Sequence, residues 1–254
     1  MRFILAACAV LVTLGFTALG TWQVFRLQWK LDLIQRVEQR VHAAPAPAPG
    51  PAGWAQVNAA ADEYRHVRLS GNFLYESSTR VQAATELGSG FWLLTPLCGT
   101  DGSIVLVNRG FIPFSAAVPA PAAAPQAVAC APRGADASVV NLTGLLRISE
   151  PGGGFLRHND AAGEHWYSRD VQAIAAARSL SRLSHVAPYF VDADAGQEAV
   201  QAQGVSVRPV GGLTVISFHN NHLVYALTWY ALALMMAGAC LWVAREERKS
   251  ARPR

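Results

Sequence analysis

The chain has 254 residues, of which 52% are hydrophobic and 15% charged, with a formal net charge of +4 and four cysteines. This composition excludes a disordered chain, which would be poor in apolar residues, and a disulfide-dense secreted module, which would need more cysteines. The basic excess is concentrated beside the two apolar ends, so a membrane surface accounts for it better than a nucleic-acid partner does.

The first apolar segment, Phe3 to Phe25, carries no charge and exceeds the roughly 20 residues a helix needs to cross a hydrocarbon core. A cleavable signal peptide competes with an uncleaved helix here. Arg2 is a minimal basic start, and Ala18 with Gly20 are small enough for a cut, but the run is long for a signal core. Leu5-Ala6-Ala7-Cys8 lacks the n-region of a lipoprotein site. Residues 1–25 are therefore read as a first transmembrane helix. Residues 26–53 are read as its extension and a proline-rich linker, extended and solvated from Ala43 to Gly53.

Residues 54–218 read as one loop domain. Strand-like runs occur at Arg65–Leu69, Phe91–Leu94, Ser103–Asn108, Val139–Ile148, Tyr189–Val191 and Val205–Val207, and Thr100-Asp101-Gly102 signals a turn. A short helix over Val171–Ala177 follows Asp170 as N-cap. From Ala116 to Pro132 the chain is rich in Ala and Pro, a composition that builds no core and predicts a long surface loop. The expected fold is thus a membrane protein of α+β class. Two transmembrane helices at the chain ends flank a mainly antiparallel β domain with a short helix.

The second apolar segment, Leu223 to Ala244, lies within a second transmembrane helix assigned to residues 219–244. Behind it, the tail 245–254 carries Arg245, Arg248, Lys249, Arg252 and Arg254. The positive-inside rule places this tail and the N-terminus in the cytoplasm, although Arg26, Lys30, Arg36 and Arg40 argue the other way. A long domain translocates largely regardless of such charges, so residues 54–218 are placed outside. Nothing before the first helix resembles a transit peptide, which points to a bacterial inner membrane and a periplasmic domain. A Cys98–Cys130 bridge is chemically allowed in that compartment. Cys8 and Cys240 fall toward the same membrane face and are candidate neighbours.

The informative chemistry lies at the outer membrane edge. In GTWQVFRLQWK (Gly20–Lys30), Trp22, Arg26 and Trp29 share a helical face, and in HNNHLVYALTWY (His219–Tyr230), His222, Tyr225 and Trp229 do the same. If the faces meet, they form an aromatic pocket with one imidazole and one guanidinium. The plain reading is an interfacial aromatic belt with a snorkelling arginine and a capping histidine. The functional reading is a site for a flat cofactor with acidic groups. His222 would be the axial ligand to haem iron, Trp22, Tyr225 and Trp229 stacking surfaces, and Arg26 the partner of a propionate.

These two motifs, together with YRHVRLSGNF, FWLLTPL, VLVNRGFIP, GLLRISEP, WYSRD and PYFVDAD in that order, resemble the surfeit-locus protein 1 family of cytochrome c oxidase assembly factors. The resemblance covers nearly the whole chain outside the Ala/Pro stretches. It implies an assembly factor that binds haem a transiently and aids its insertion into oxidase subunit I, with His222 matching the haem-linked histidine, Trp22 the first-helix tryptophan and Arg26 the motif arginine. Subunit I, a haem a synthase and membrane lipid are the implied partners. The alternative is a scaffold that stabilises the oxidase subunit without binding haem.

Within the domain, Asn108-Arg109-Gly110-Phe111 reads either as a contact surface or as a strand end turning at Gly110 with a solvated arginine. Ser168 with His165 and Asp170 is read as local turn and cap chemistry, since adjacency in sequence does not make a triad. His66, His158 and His185 are read as structural or exposed. No phosphate loop, dinucleotide fingerprint or carboxylate pair is present, and the chain is not read as an enzyme.

Overall fold

In the computed structural model the chain divides into two compact units, residues 1–36 with 216–254 and residues 37–215. The structure describes residues 2–116, 130, 139–154, 156–182, 184–196, 208–214 and 220–250. The elements run α1 (Arg2–Val41), β1 (Ala46–Pro47), α2 (Ala59–Asp62), β2 (His66–Phe73), β3 (Thr79–Thr85), β4 (Gly88–Gly99), β5 (Ile104–Pro113), β6 (Val140–Ile148), α3 (Val171–Ala177), β7 (Val186–Ala193) and α4 (His222–Ser250). The expected strand at Val205–Val207, residue His219 and all of the Ala116–Pro132 segment except Ala116 and Cys130 lie outside the described residues.

The helical unit holds two helices long and apolar enough to cross a membrane, Ile4–Val41 and His222–Glu246, with only 6% and 11% of their apolar windows buried. A core helix of a soluble protein would be mostly covered, so these surfaces suit a lipid environment. Along α1 the hydroxyls of Thr13, Thr17 and Thr21 each donate to the carbonyl four residues back, at 2.8, 2.8 and 2.9 Å. Three polar groups on an apolar helix are thereby satisfied without water.

In the domain unit the sheet closes on itself. Strand β2 pairs antiparallel with β6 along His66–Gly71, then with β4 along Gly71–Phe73. The circuit β2–β6–β7–β5–β4 returns to β2, with β3 added outside β4 and β1 beside β2. Among the five strands of the circuit, only the β5–β7 pairing is parallel. The mainly antiparallel expectation holds, and closure into a small barrel extends it. Closure needs Gly71, where a Cβ would lie 2.2 Å from the Cys98 carbonyl oxygen. A side chain at that crossing would push β2 and β4 apart.

Strand β5 is buried on both faces. Val105 and Val107 pack with Leu142, Leu146 and Tyr189, whereas Ile104 and Leu106 pack with Trp166, Ile174 and Phe190. The continuous apolar run SIVLVN is what such a strand requires. Helix α3 spans the expected residues, and the Asp170 carboxylate accepts from the Ala173 N–H at 3.1 Å. Val171, Ile174 and Ala175 are its buried face.

Several expectations change. The proline-rich stretch is extended but not simply solvated. Ala46–Pro47 pairs with β2, and the Pro49 carbonyl accepts from Trp54 Nε1 at 2.8 Å and from the Tyr189 hydroxyl at 2.7 Å. Prolines can lie on a sheet edge because their carbonyls still accept where their nitrogens cannot donate. The strand at Phe91–Leu94 is the middle of the much longer β4, and β3 lies before it. Cys130, inside the Ala/Pro segment, forms a disulfide with Cys98 and belongs to a core cluster. Composition alone missed this anchor.

Arg109 is not a solvated turn residue. Strand β5 runs on to Pro113, and Arg109 Cζ lies 5.4 Å over Phe73 and 5.0 Å over Tyr75. Burial lowers its pKa from the usual arginine value. Gly110 sits at φ +129°, with the Val210 backbone 2.3 Å from where a Cβ would be. Nearby, Asp192 is 3% exposed and joins three strands. Its carboxylate accepts from Asn108 Nδ2 at 2.7 Å, Arg147 Nη1 at 3.0 Å, Arg169 Nη1 at 3.2 Å and Thr214 Oγ1 at 2.9 Å. Glu63 holds Arg147 at 2.7 Å, and Glu150 pairs with Arg169. Burial is the largest single effect at Glu150 and opposes its charge, but the Arg169 hydrogen bonds and the charges of Arg169 and Arg147 together outweigh it and lower the pKa. Ser168 accepts from Gly153 N and Asn159 Nδ2, each at 3.0 Å, which is the expected turn chemistry.

Candidate cofactor site on the helix pair

The helices α1 and α4 meet along a seam of small and aromatic residues. Gly20 of α1 is buried, and a Cβ there would come within 2.8 Å of the Tyr230 ring. Glycine thus lets the Tyr230 ring lie directly on the α1 backbone, a close approach typical of membrane helix pairs. One residue on, the Thr21 and Tyr230 hydroxyls are hydrogen-bonded at 3.0 Å. Phe16 and Trp229 stack with ring centroids 5.6 Å apart and planes tilted by 32°. Ala226 and Ala233, 2% and 6% exposed, complete the α4 side.

At the start of α4, the His222 N–H faces the Asn220 side-chain oxygen at 3.4 Å. The His222 ring meets Gln23, with Nδ1 and Oε1 2.7 Å apart. A carboxamide oxygen accepts and cannot donate, so with Oε1 turned to the ring the contact suits the tautomer that carries the proton on Nδ1 and a lone pair on Nε2. Among the described residues Nε2 makes no hydrogen bond. An imidazole whose distal nitrogen is held by a neighbouring oxygen is the arrangement that fixes a histidine for metal ligation.

The five expected site residues are divided. His222 and Trp229 lie at the seam, where their partners on α1 are Gln23 and Phe16. Trp22 and Tyr225 point outward, 54% and 53% exposed. Arg26 is exposed, with its Cζ 4.8 Å over the Trp29 ring. The expected meeting of the Trp22–Arg26–Trp29 face with the His222–Tyr225–Trp229 face is therefore not what builds the seam. Residues 16, 20 and 23 of α1 face α4, and Trp22 is turned about 100° from Gln23 by the helical repeat. Gln23 went unassigned in the sequence reading. Its signal was a carboxamide within a helix whose other polar residues near the seam satisfy themselves.

A planar iron cofactor fits this donor set better than a bare ion does. Among the described residues no group of three or more His, Cys, Asp or Glu could hold a metal. An iron porphyrin brings four nitrogens of its own and asks the protein for axial ligands only, which His222 Nε2 can supply. The exposed rings of Trp22 and Tyr225 offer apolar surface on the outside of the helix pair, and Arg26 is the cation on α1 nearest His222's partner Gln23 in sequence.

Residues 10–234 match the profile of the SURF1 family. The chain belongs to the SURF1 family. It is 34% identical over 253 residues to Surfeit locus protein 1 of Homo sapiens, covering 92% of this chain and 75% of the human one. Against the Xenopus tropicalis protein of the same name, identity is 32% over 260 residues, covering 95% and 76%. A SURF1-like protein of Monosiga brevicollis is 34% identical over 245 residues, covering 91% and 82%. The match begins within α1, runs through the barrel and ends within α4 at residue 234, a span that contains the positions of both Gln23 and His222.

Proposed function

We propose that this SURF1-family chain is an assembly factor for cytochrome c oxidase that carries haem a on His222 and helps deliver it into subunit I. Family membership supports the oxidase role. The single observation that supports the haem role is the 2.7 Å contact between His222 Nδ1 and Gln23 Oε1, which in the Nδ1–H tautomer leaves Nε2 as a lone-pair donor. Bound haem a would supply an iron that His222 would hold. Trp22 and Tyr225 would cover its ring, and Arg26 would hold a propionate in a charge-assisted hydrogen bond. The protein acts by holding and releasing, not by catalysis. Its partners are subunit I, a haem a synthase as donor, and membrane lipid.

We place the chain in a bacterial inner membrane, with both termini cytoplasmic and the barrel in the periplasm. The basic residues from Arg245 onward and the Cys98–Cys130 disulfide support this orientation, since disulfides persist in oxidising compartments.

The test is the optical spectrum of the full-length protein purified from cells that make haem a. Wild type should show a Soret band, His222→Ala should lose or shift it while still accumulating, and Gln23→Leu should weaken binding. An unchanged spectrum in His222→Ala moves the iron ligand elsewhere. A second reading, a scaffold that holds subunit I without haem, draws support from the exposed Trp22 and Tyr225 rings, which a partner helix could cover equally well. Wild type purified without any haem would favour it.

A further inference from the structure

The domain carries a second site of distinct chemistry, remote in sequence from the helix pair. Strand β3 is flanked on its outer side by the segment around Trp166, through a Gln82 N–H to Trp166 carbonyl bond of 2.7 Å. Together with the end of β5 they wall a cleft of about 380 Å3, within the range of sites that take small organic ligands. Phe91, Phe114 and Tyr167 supply rings to its lining and Arg80 and Arg157 supply guanidiniums, beside Gln82, Glu164 and His165.

Each guanidinium lies on a ring. Arg80 Cζ is 5.4 Å over Phe91, and Arg157 Cζ is 5.3 Å over Tyr167. Arg157 Nη1 also donates to Gln82 Oε1 at 2.9 Å, which fixes its position. Among the described residues, neither arginine lies within ion-pair distance of a carboxylate, in contrast to Arg147, Arg169 and Arg178. Glu164 stands in the same wall but is committed. Both its oxygens accept from Arg178, and that bond lowers its pKa first, against a smaller opposing effect of burial. The ring faces of the arginines are used, and their remaining N–H groups suit a carboxylate.

Phe114 packs edge-on to Phe91 at 4.9 Å yet is 52% exposed. An inorganic anion would satisfy the arginines and leave this apolar surface wet. A polyphosphate would set several charges against Glu164. A planar apolar body with one or two carboxylates at its edge meets both demands.

We propose that this cleft binds a planar, apolar carboxylate, with Arg80 and Arg157 clamping the acid and Phe91, Phe114 and Tyr167 covering the ring system. The site is separate from His222 and needs no iron.

Metal-free protoporphyrin IX is a suitable probe, being planar, apolar and a dicarboxylate that His222 cannot ligate. Its fluorescence is titrated with the full-length protein in nanodiscs, and its dimethyl ester serves as the uncharged control. Wild type and His222→Ala should bind the acid alike and at least tenfold tighter than the ester. The double variant Arg80→Gln with Arg157→Gln should bind the acid at least tenfold more weakly and lose the discrimination against the ester. Phe114→Ala, which removes a half-exposed ring from the cleft, should weaken both ligands. Equal affinity for acid and ester in wild type, or full acid binding by the double variant, overturns the proposal, as does loss of binding in His222→Ala alone. Neither of the first two results touches the His222-dependent haem spectrum, and a failure of that spectrum leaves the acid–ester difference standing.

Discussion

Replacing Asp192 by Asn should destabilise the barrel more than any change at its surface. The side chain keeps its shape but loses the charge that faces both Arg147 and Arg169 in a pocket where Asp192 is only 3% exposed. Breaking a buried ion pair by removing one partner costs about 3–5 kcal/mol, because the other charge is left desolvated. Here Arg147 keeps Glu63 and Glu150, and Arg169 keeps Glu150. The retained carboxylates put the loss near the lower bound, at about 3 kcal/mol. For a domain of this size, that lowers Tm by roughly 6–12 °C. The assay is thermal unfolding of the full-length protein in detergent, followed by near-ultraviolet circular dichroism. Arg182→Gln, an exposed change, is the control. If Asp192→Asn melts within about 2 °C of wild type, the network does not hold β5, β6 and β7 together and the reasoning fails.

Three further outcomes are expected. Gly110→Ala should destabilise the domain by about 1–3 kcal/mol, since it combines a strained φ with a backbone collision at Val210; chemical denaturation would measure it. At His66, burial lowers the pKa, but the Asp194 hydrogen bond and the Ala43 carbonyl raise it further, to a net value above the usual one. The protonated form is therefore favoured on folding, and the stabilisation is full below pH ~6.5 and lost as pH rises through the folded pKa. The Tm gap between wild type and His66→Gln should be larger at pH 5.5 than at pH 8.5, and an equal gap would refute the ion pair. Finally, alkaline phosphatase fused near Gly152 should be active in a bacterial host and the same fusion after Arg254 inactive; the reverse pattern would invert the proposed orientation.

The parts of the fold written in neighbouring residues were legible. Helix α3 was readable because its cap, Asp170, and its buried face sit within eight residues. Strand β5 was readable from a β-branched run. The length of β4 was not, because Pro96 reads as a strand breaker. In the structure, one edge of β4 passes from β3 to β2 at this point, pairing with β3 through Leu94 and with β2 from Leu97. The missing N–H of Pro96 costs nothing there, and its carbonyl accepts from Leu74 at 2.8 Å. Barrel closure at Gly71 and the Asp192 network join residues dozens of positions apart, which no local pattern reports. At the helix pair, spacing grouped His222, Tyr225 and Trp229 on one face of α4, of which His222 and Trp229 meet α1 and Tyr225 is half exposed. It could not say which face of α1 would turn inward, because Trp22 and Gln23 differ by one step of the helix. The small residue Gly20 decided that by letting Tyr230 in close.

The disulfide between Cys98 and Cys130 gives the barrel two fixed posts, the end of β5 on one side and a covalent tether on the other. Whatever length of chain joins them, its ends are held by structure that forms without it. Closing a longer connection costs only about 0.6 kcal/mol for each doubling of its length. An epitope or a small fluorescent tag inserted between Pro113 and Cys130 should therefore leave the barrel and both helices undisturbed.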